Sequence, residues 1–214
     1  MTATINASTT GGGGIIATAD ASGSLALQGA GNTGVTIDSS GNATATTQAQ
    51  ANNSTRLATT AYVDRTAVQQ VVFSSTTSYA SGSTSLPYDN TIPQNTEGDQ
   101  YMTATITPKS ATSKLVIHVV GVFWTASANA ISGALFQDST ANALAVSYCY
   151  APNANNGSTI TINYSMTSGT TSATTFKFRA GANGVQTIYF NGTNGSGIFN
   201  GTCMSSIMIM EVGV

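Results

Sequence analysis

Charge is what this chain has least of. Six basic and eight acidic residues make up 7% of its 214 positions, with a formal net charge of -2, where soluble domains usually carry about 25% charged residues. A nucleic-acid partner is not expected on that ground, because phosphate neutralisation draws on clustered Lys and Arg. Here Arg56, Arg65, Lys109, Lys114, Lys177 and Arg179 are scattered. Long apolar runs are also missing; none reaches the ~20 residues of a membrane-spanning helix, so membrane insertion is not expected. The opening "MTATINASTTGGGG" has neither a basic n-region nor an apolar h-region, so no secretory signal is expected. Cysteine is scarce too. Cys149 and Cys203 stand far apart with no CxxC and no nearby histidine, which makes no disulfide framework and reads as two small buried hydrophobes.

Hydrophobic residues nevertheless reach 41%. Disorder pairs low hydrophobicity with high net charge, so this chain folds. Its surface must be made polar by Thr, Ser, Asn and Gln, and near-neutral surfaces of that kind repel copies of themselves only weakly.

Composition separates three blocks. Residues 1–50 alternate short apolar pieces, "GIIATA", "GSLALQ" and "GVTIDS", with the dividers "DASG", "GAGNTG" and "SSGN". The dividers are turn vocabulary. Within the pieces, Leu25 and Leu27 share one face, as do Val35 and Ile37, which is the period-two pattern of strands. About fifty residues with so few large side chains cannot bury a core alone. The block is either a flexible leader or a shaft that packs on copies of itself or on another protein.

Residues 51–72, ending "STRLATTAYVDRTAVQQVV", have helical spacing. Ser54 or Thr55 can cap the start. Leu57, Ala61, Val68 and Val72 step by four, seven and four and would fall on one side of a helix. A helix this short is marginal alone, so it would bury its stripe in a bundle of identical helices or lie on the domain that follows.

Residues 73–214 alternate strongly. In "TITINYSMT" Ile160, Ile162, Tyr164 and Met166 face one way, and in "FKFR" Phe176 and Phe178 oppose Lys177 and Arg179. "KLVIHVVGVFW" is apolar on both faces, the mark of a central strand covered on both sides. Loops such as "SGSTSLPYDN" and "APNANNG" divide the runs. The predicted fold class is mainly β: an extended β-rich shaft, a short helical neck and an antiparallel jelly-roll-like sandwich.

"ATTAYVD", Ala58 to Asp64, resembles a motif of tailed-bacteriophage fibre proteins, "GSLALQGAGNTGVTIDSSGN" is similar to the N-terminal segments of phage structural proteins, and the C-terminal block resembles their β-sandwich heads. The resemblance implies a homotrimer, exposed on the virion after synthesis in the bacterial cytoplasm. It further implies docking to other virion proteins through the N-terminal segment and attachment to a host surface. A head fibre or capsid decoration protein is the alternative, and a glycan-cleaving tailspike stands behind both.

Catalysis is not expected. His118, the only histidine, aligns with Val116, Val120 and Val122, so it reads as a core or interface residue rather than a general base. The single tight acidic pair, Glu97 and Asp99, sits in turn sequence, not in the paired-carboxylate arrangement of a glycosidase. Metal ligation is not expected either: "DSSGN" at Asp38 lacks EF-hand spacing and reads as a turn. No cofactor is implied. The sequons at Asn191 and Asn200 follow from composition. Met204, Ser206, Met208 and Met210 form a strand face assigned to the core or a subunit interface. Tyr148, Tyr150, Asn153, Asn155 and Asn156, in "SYCYAPNANNG", are the candidates for glycan binding, since rings stack on sugars and amides read hydroxyls.

Overall fold

The computed structural model describes residues 22–49, 56–66 and 68–213. They fall in two compact units, Met1–Tyr62 and Val63–Val214, and the "GIIATA" piece lies outside the described residues.

In the first unit β1 (Leu25–Gly29), β2 (Asn32–Ile37) and β3 (Ala43–Ala45) form an antiparallel three-stranded sheet. Asp38 builds the β2–β3 turn. Its Oδ1 accepts the backbone amides of Ser40 and Asn42, both at 2.9 Å, and its Oδ2 accepts the Asn42 side chain at 3.0 Å. The oxygens read as turn formers in the sequence do that work here. Leu25 and Leu27 remain about half exposed, and among the described residues no side chain of this small sheet is fully buried.

Helix α1 (Thr60–Thr66) corrects the predicted neck. Thr59 opens it, its hydroxyl accepting the Tyr62 amide at 3.3 Å; Ser54 and Thr55 lie outside the described residues. Leu57 precedes the helix and is 66% exposed. Val68 and Val72 belong to the strand β4 (Val68–Thr76), so Leu57, Ala61, Val68 and Val72 share no helical side. The β-branched Val68, Val71 and Val72 suit a strand, and ladder pairing with the C-terminal strand outweighs the local helical spacing.

The second unit continues with β5 (Ala80–Gly82), β6 (Asp99–Ile106), β7 (Lys114–Thr125), β8 (Asn129–Gln137), β9 (Ala145–Ala151) and β10 (Gly157–Thr167). Then come β11 (Thr174–Ala182), β12 (Ile188–Phe190), the small hairpin β13 (Gly192–Thr193) and β14 (Ser196–Gly197), a 3-10 turn at Phe199–Gly201, and β15 (Ser205–Val212). One sheet runs β4-β15-β7-β12-β5, with β10 also paired to β7; the other runs β6-β11-β8-β9. Among the described residues every ladder is antiparallel. The fold is mainly β, a jelly-roll-like sandwich in which chain neighbours are distributed between the two sheets.

Alternation places the core. Leu115, Ile117, Val119 and Phe123 from β7 meet Ile207 and Ile209 from β15, Ile160 and Ile162 from β10, and Phe176 and Phe178 from β11. Phe178 needs room on two sides. A Cβ at Gly121 would stand 2.7 Å from its ring, and one at Gly133 would stand 2.8 Å away. Aromatic contacts tie Phe123 to Phe190 at 5.2 Å and Tyr101 to Phe190 at 4.9 Å, within the favourable range for ring pairs.

The other face of β7 departs from the sequence reading. Val116, His118, Val120, Val122 and Trp124 are half-buried rather than covered. That strand is central and its sheet has one dry face only.

Candidate interaction surfaces

The outer face of the β4-β15-β7-β10 sheet follows from the register. Phe73 on β4 pairs with Met208 on β15, Met208 with His118 on β7, and His118 with Asn163 on β10. The next row runs Val71, Met210, Val116, Ser165. Val68, Val71 and Phe73 are each more than half exposed, while the methionines are half-buried. The methionine stripe is thus on the outside, and the core side of β15 is Ile207 and Ile209. His118 stands among valines, a methionine and an amide on this face, with no carboxylate opposite it in either neighbouring strand.

A second surface lies on the outer side of the other sheet. The segment between β5 and β6 crosses it as a strap. Leu86 is buried there with Ala134 and Phe136, and its amide donates to Ala182 O at 3.1 Å. Arg179 pins the far end, donating Nε to Glu97 O at 2.8 Å and Nη2 to Gly98 O at 2.6 Å. The strap brings Tyr88 against Tyr148 of β9, ring centroids 4.8 Å apart and tilted by 47°. Hydrogen bonding with the Tyr148 hydroxyl, followed by its charge, pushes the Tyr88 phenol above its ordinary range. Tyr150, two residues on, shares the face, and the three tyrosines with Asn129, Ala130 and Asn183 line an open cleft of about 500 Å³.

Of the five glycan candidates, the structure brings Tyr148 and Tyr150 into this cleft and leaves Asn153, Asn155 and Asn156 off it. Asn155 takes a positive φ of 60° and accepts Thr193 Oγ1 at 3.1 Å, so it shapes the β9–β10 loop. Tyr88, Asn129 and Asn183 were missed because they come from distant segments, a strap, the start of β8 and the end of β11, whose meeting no local pattern announces. Elsewhere, Glu97 Oε2 accepts the Gln94 amide at 2.8 Å and Asp99 accepts Thr84 N and Oγ1 at 3.0 and 2.7 Å. The acidic pair fastens the strap. Among the described residues, no group of three or more His, Cys, Asp or Glu side chains is placed to hold a metal ion.

Residues 83–214, more than half of the chain, match the Pgp3 C-terminal domain family. The chain belongs to that family. The Pgp3 family is that of a chlamydial plasmid virulence protein, and the match overturns the tailed-phage reading together with its head-fibre and tailspike alternatives and its virion location. The misleading motif, Ala58 to Asp64, covers a chain segment entering a seven-residue helix, and a stretch that short fixes one helix start, not a function. Among solved structures, that of infectious bursal disease virus Gx strain has 13% identity and a TM-score of 0.33, over 68% of this chain and 33% of that one. The chain thus spans about a third of that viral protein's length. No curated protein matches it.

Proposed function

We propose that this member of the Pgp3 C-terminal domain family is a non-enzymatic, self-assembling module, a homotrimer whose copies meet through the outer face of the β4-β15-β7-β10 sheet. One observation carries the reading: Val71 and Phe73, 53% and 56% exposed, continue into Met208, Met210, Val116 and Val120 as one apolar surface. Contiguous exposed apolar surface of this kind marks an association site. A further copy is the occupant that the charges favour. Apart from His118, the strands contribute only Lys114, at one end, as an ionisable side chain on this face, and a chain of net charge -2 repels its own copies weakly. Association about a closed rotation axis would bring three such faces together. The half-exposed leucines of the N-terminal sheet would gain cover from other copies by the same logic.

A binding role rather than catalysis is favoured by the spent carboxylates of Glu97 and Asp99 and by the isolated His118. The virulence association of the family's named protein is taken over here as the context in which such a module would act, through contacts made by its assembled form.

Light scattering on the purified chain tests the assembly. A mass of about three times the 21.7 kDa chain is expected, and Phe73→Glu with Met208→Lys should give a folded monomer. A monomeric wild-type protein at micromolar concentration overturns self-association, and a dimer overturns the trimer.

A further inference from the structure

We propose that the cleft between Tyr88, Tyr148 and Tyr150 binds a neutral pyranose residue of a glycan. The cleft lies on the sheet opposite to the one assigned to assembly. It exists in a single chain, so this inference does not depend on the oligomer.

The hydrogen-bond network sets what the cleft offers. Gln186 donates Nε2 to Ser127 O at 3.1 Å and also to Ser127 Oγ, which leaves Gln186 Oε1 turned to Asn129. Asn129 must therefore present its amide nitrogen, and it does so at 2.6 Å. Its Oδ1 is left without a protein partner. The Tyr88 backbone amide can only donate, so Asn183 presents Oδ1 to it, at 3.1 Å, and keeps Nδ2 unpaired. Both carboxamide orientations are dictated by neighbours whose own polarity is fixed. The result is one free acceptor and one free donor on two residues that line the cleft beside the three tyrosines.

That combination matches a sugar. A pyranose presents an apolar C–H face that packs on a ring and hydroxyls that both donate and accept. The volume of about 500 Å³ lies in the range of small-ligand clefts, ~300–1,000 Å³. No Lys, Arg, His, Asp or Glu lines it, so phosphate, sulfate and acidic sugars find no counter-charge. A quaternary ammonium ion would use aromatic walls alone and leave the Asn129 and Asn183 groups unused.

Saturation-transfer NMR with cellotetraose, maltotetraose and chitotetraose, each at millimolar concentration, tests the proposal. Transfer to ring C–H protons of at least one of them is expected. Tyr148→Ala should weaken it by about tenfold, the loss of one stacking wall, while Tyr148→Phe should stay near wild type. Tyr148 is 55% exposed, so truncation leaves the core intact, and an unchanged amide spectrum verifies this. Transfer to none of the three, full retention in Tyr148→Ala, or binding of tetramethylammonium in their place overturns the proposal.

Discussion

The carboxylate of Glu211, near the end of β15, accepts the backbone amide of Lys109 with both oxygens, at 2.8 and 3.0 Å. It also takes the Ser110 amide at 3.1 Å and the Gln70 side chain. One acidic side chain thus holds the β6–β7 connection and β4 to the last strand.

Burial by itself would raise the Glu211 pKa, but hydrogen bonds from Gln70, Lys109, Ser113 and Ser110 outweigh it and hold the group below its ordinary 4.5. A depressed folded-state pKa gives stability that is present above 4.5 and is lost as pH falls through the folded value. Glu211→Gln should cost about 1–3 kcal/mol at neutral pH, because charge-assisted bonds are replaced by weaker ones and one amide loses its acceptor. Thermal melts from pH 6 to 3 check the sign: wild type should lose its advantage over the variant in acid. Parallel curves would mean the charge is irrelevant.

Gly121→Ala should destabilise the sandwich by about 1–3 kcal/mol through overpacking. The added methyl would stand 2.7 Å from Phe178 and 2.8 Å from Phe123, two fully buried rings with no free direction to move. Denaturant unfolding gives the value. Gly121→Ala with Phe178→Leu should recover part of the loss, since the smaller side chain vacates the contested volume.

The division between legible and illegible features has a physical basis. Strands such as β10 and β11 follow from side chains that alternate between core and solvent, a pattern each residue carries locally. The helix at 51–72 failed because Val68 and Val72 satisfy two periodicities at once. Pairing with Ile209 and Val212, some 140 residues away, decides between them. Tyr148 and Tyr150 could be singled out as alternate, outward residues of one strand. Tyr88 reaches the same cleft only through the strap held by Arg179 and Leu86, while Asn129 opens β8 and Asn183 follows β11, so the three meet from segments distant in sequence.

Asn191 shows what a composition-based reading hides. It is fully buried with φ at 53°. Its Nδ2 donates to Thr76 O at 3.0 Å and its Oδ1 accepts Ser205 Oγ at 2.7 Å, while that oxygen accepts the Val122 amide at 3.0 Å. Asn191→Ala would break bonds reaching β4, β7 and β15 and force a left-handed backbone on alanine. A loss of about 2–4 kcal/mol is expected, from unsatisfied buried groups and backbone strain together. Asn191→Gly, which relieves only the strain, should lose less; equal losses would remove the backbone from the account.

One buried hydroxyl has no protein partner. The Tyr101 oxygen is buried and unbonded, while its ring packs against Phe123 at 5.2 Å and Phe190 at 4.9 Å. Tyr101→Phe keeps those ring contacts and removes a polar group that folding strips of water. The variant should therefore be as stable as wild type or about 1 kcal/mol more stable at pH 7. Burial, then the charges of Asp99 and Tyr79, push the phenol well above its ordinary 10.0. A raised folded pKa means the stabilising term is intact below 10.0 and is lost as pH rises beyond it, because the unfolded chain ionises first. Melts between pH 8 and 11 should show wild type falling faster than Tyr101→Phe. A variant less stable at pH 7, with the same alkaline slope as wild type, would show that the hydroxyl is bonded after all.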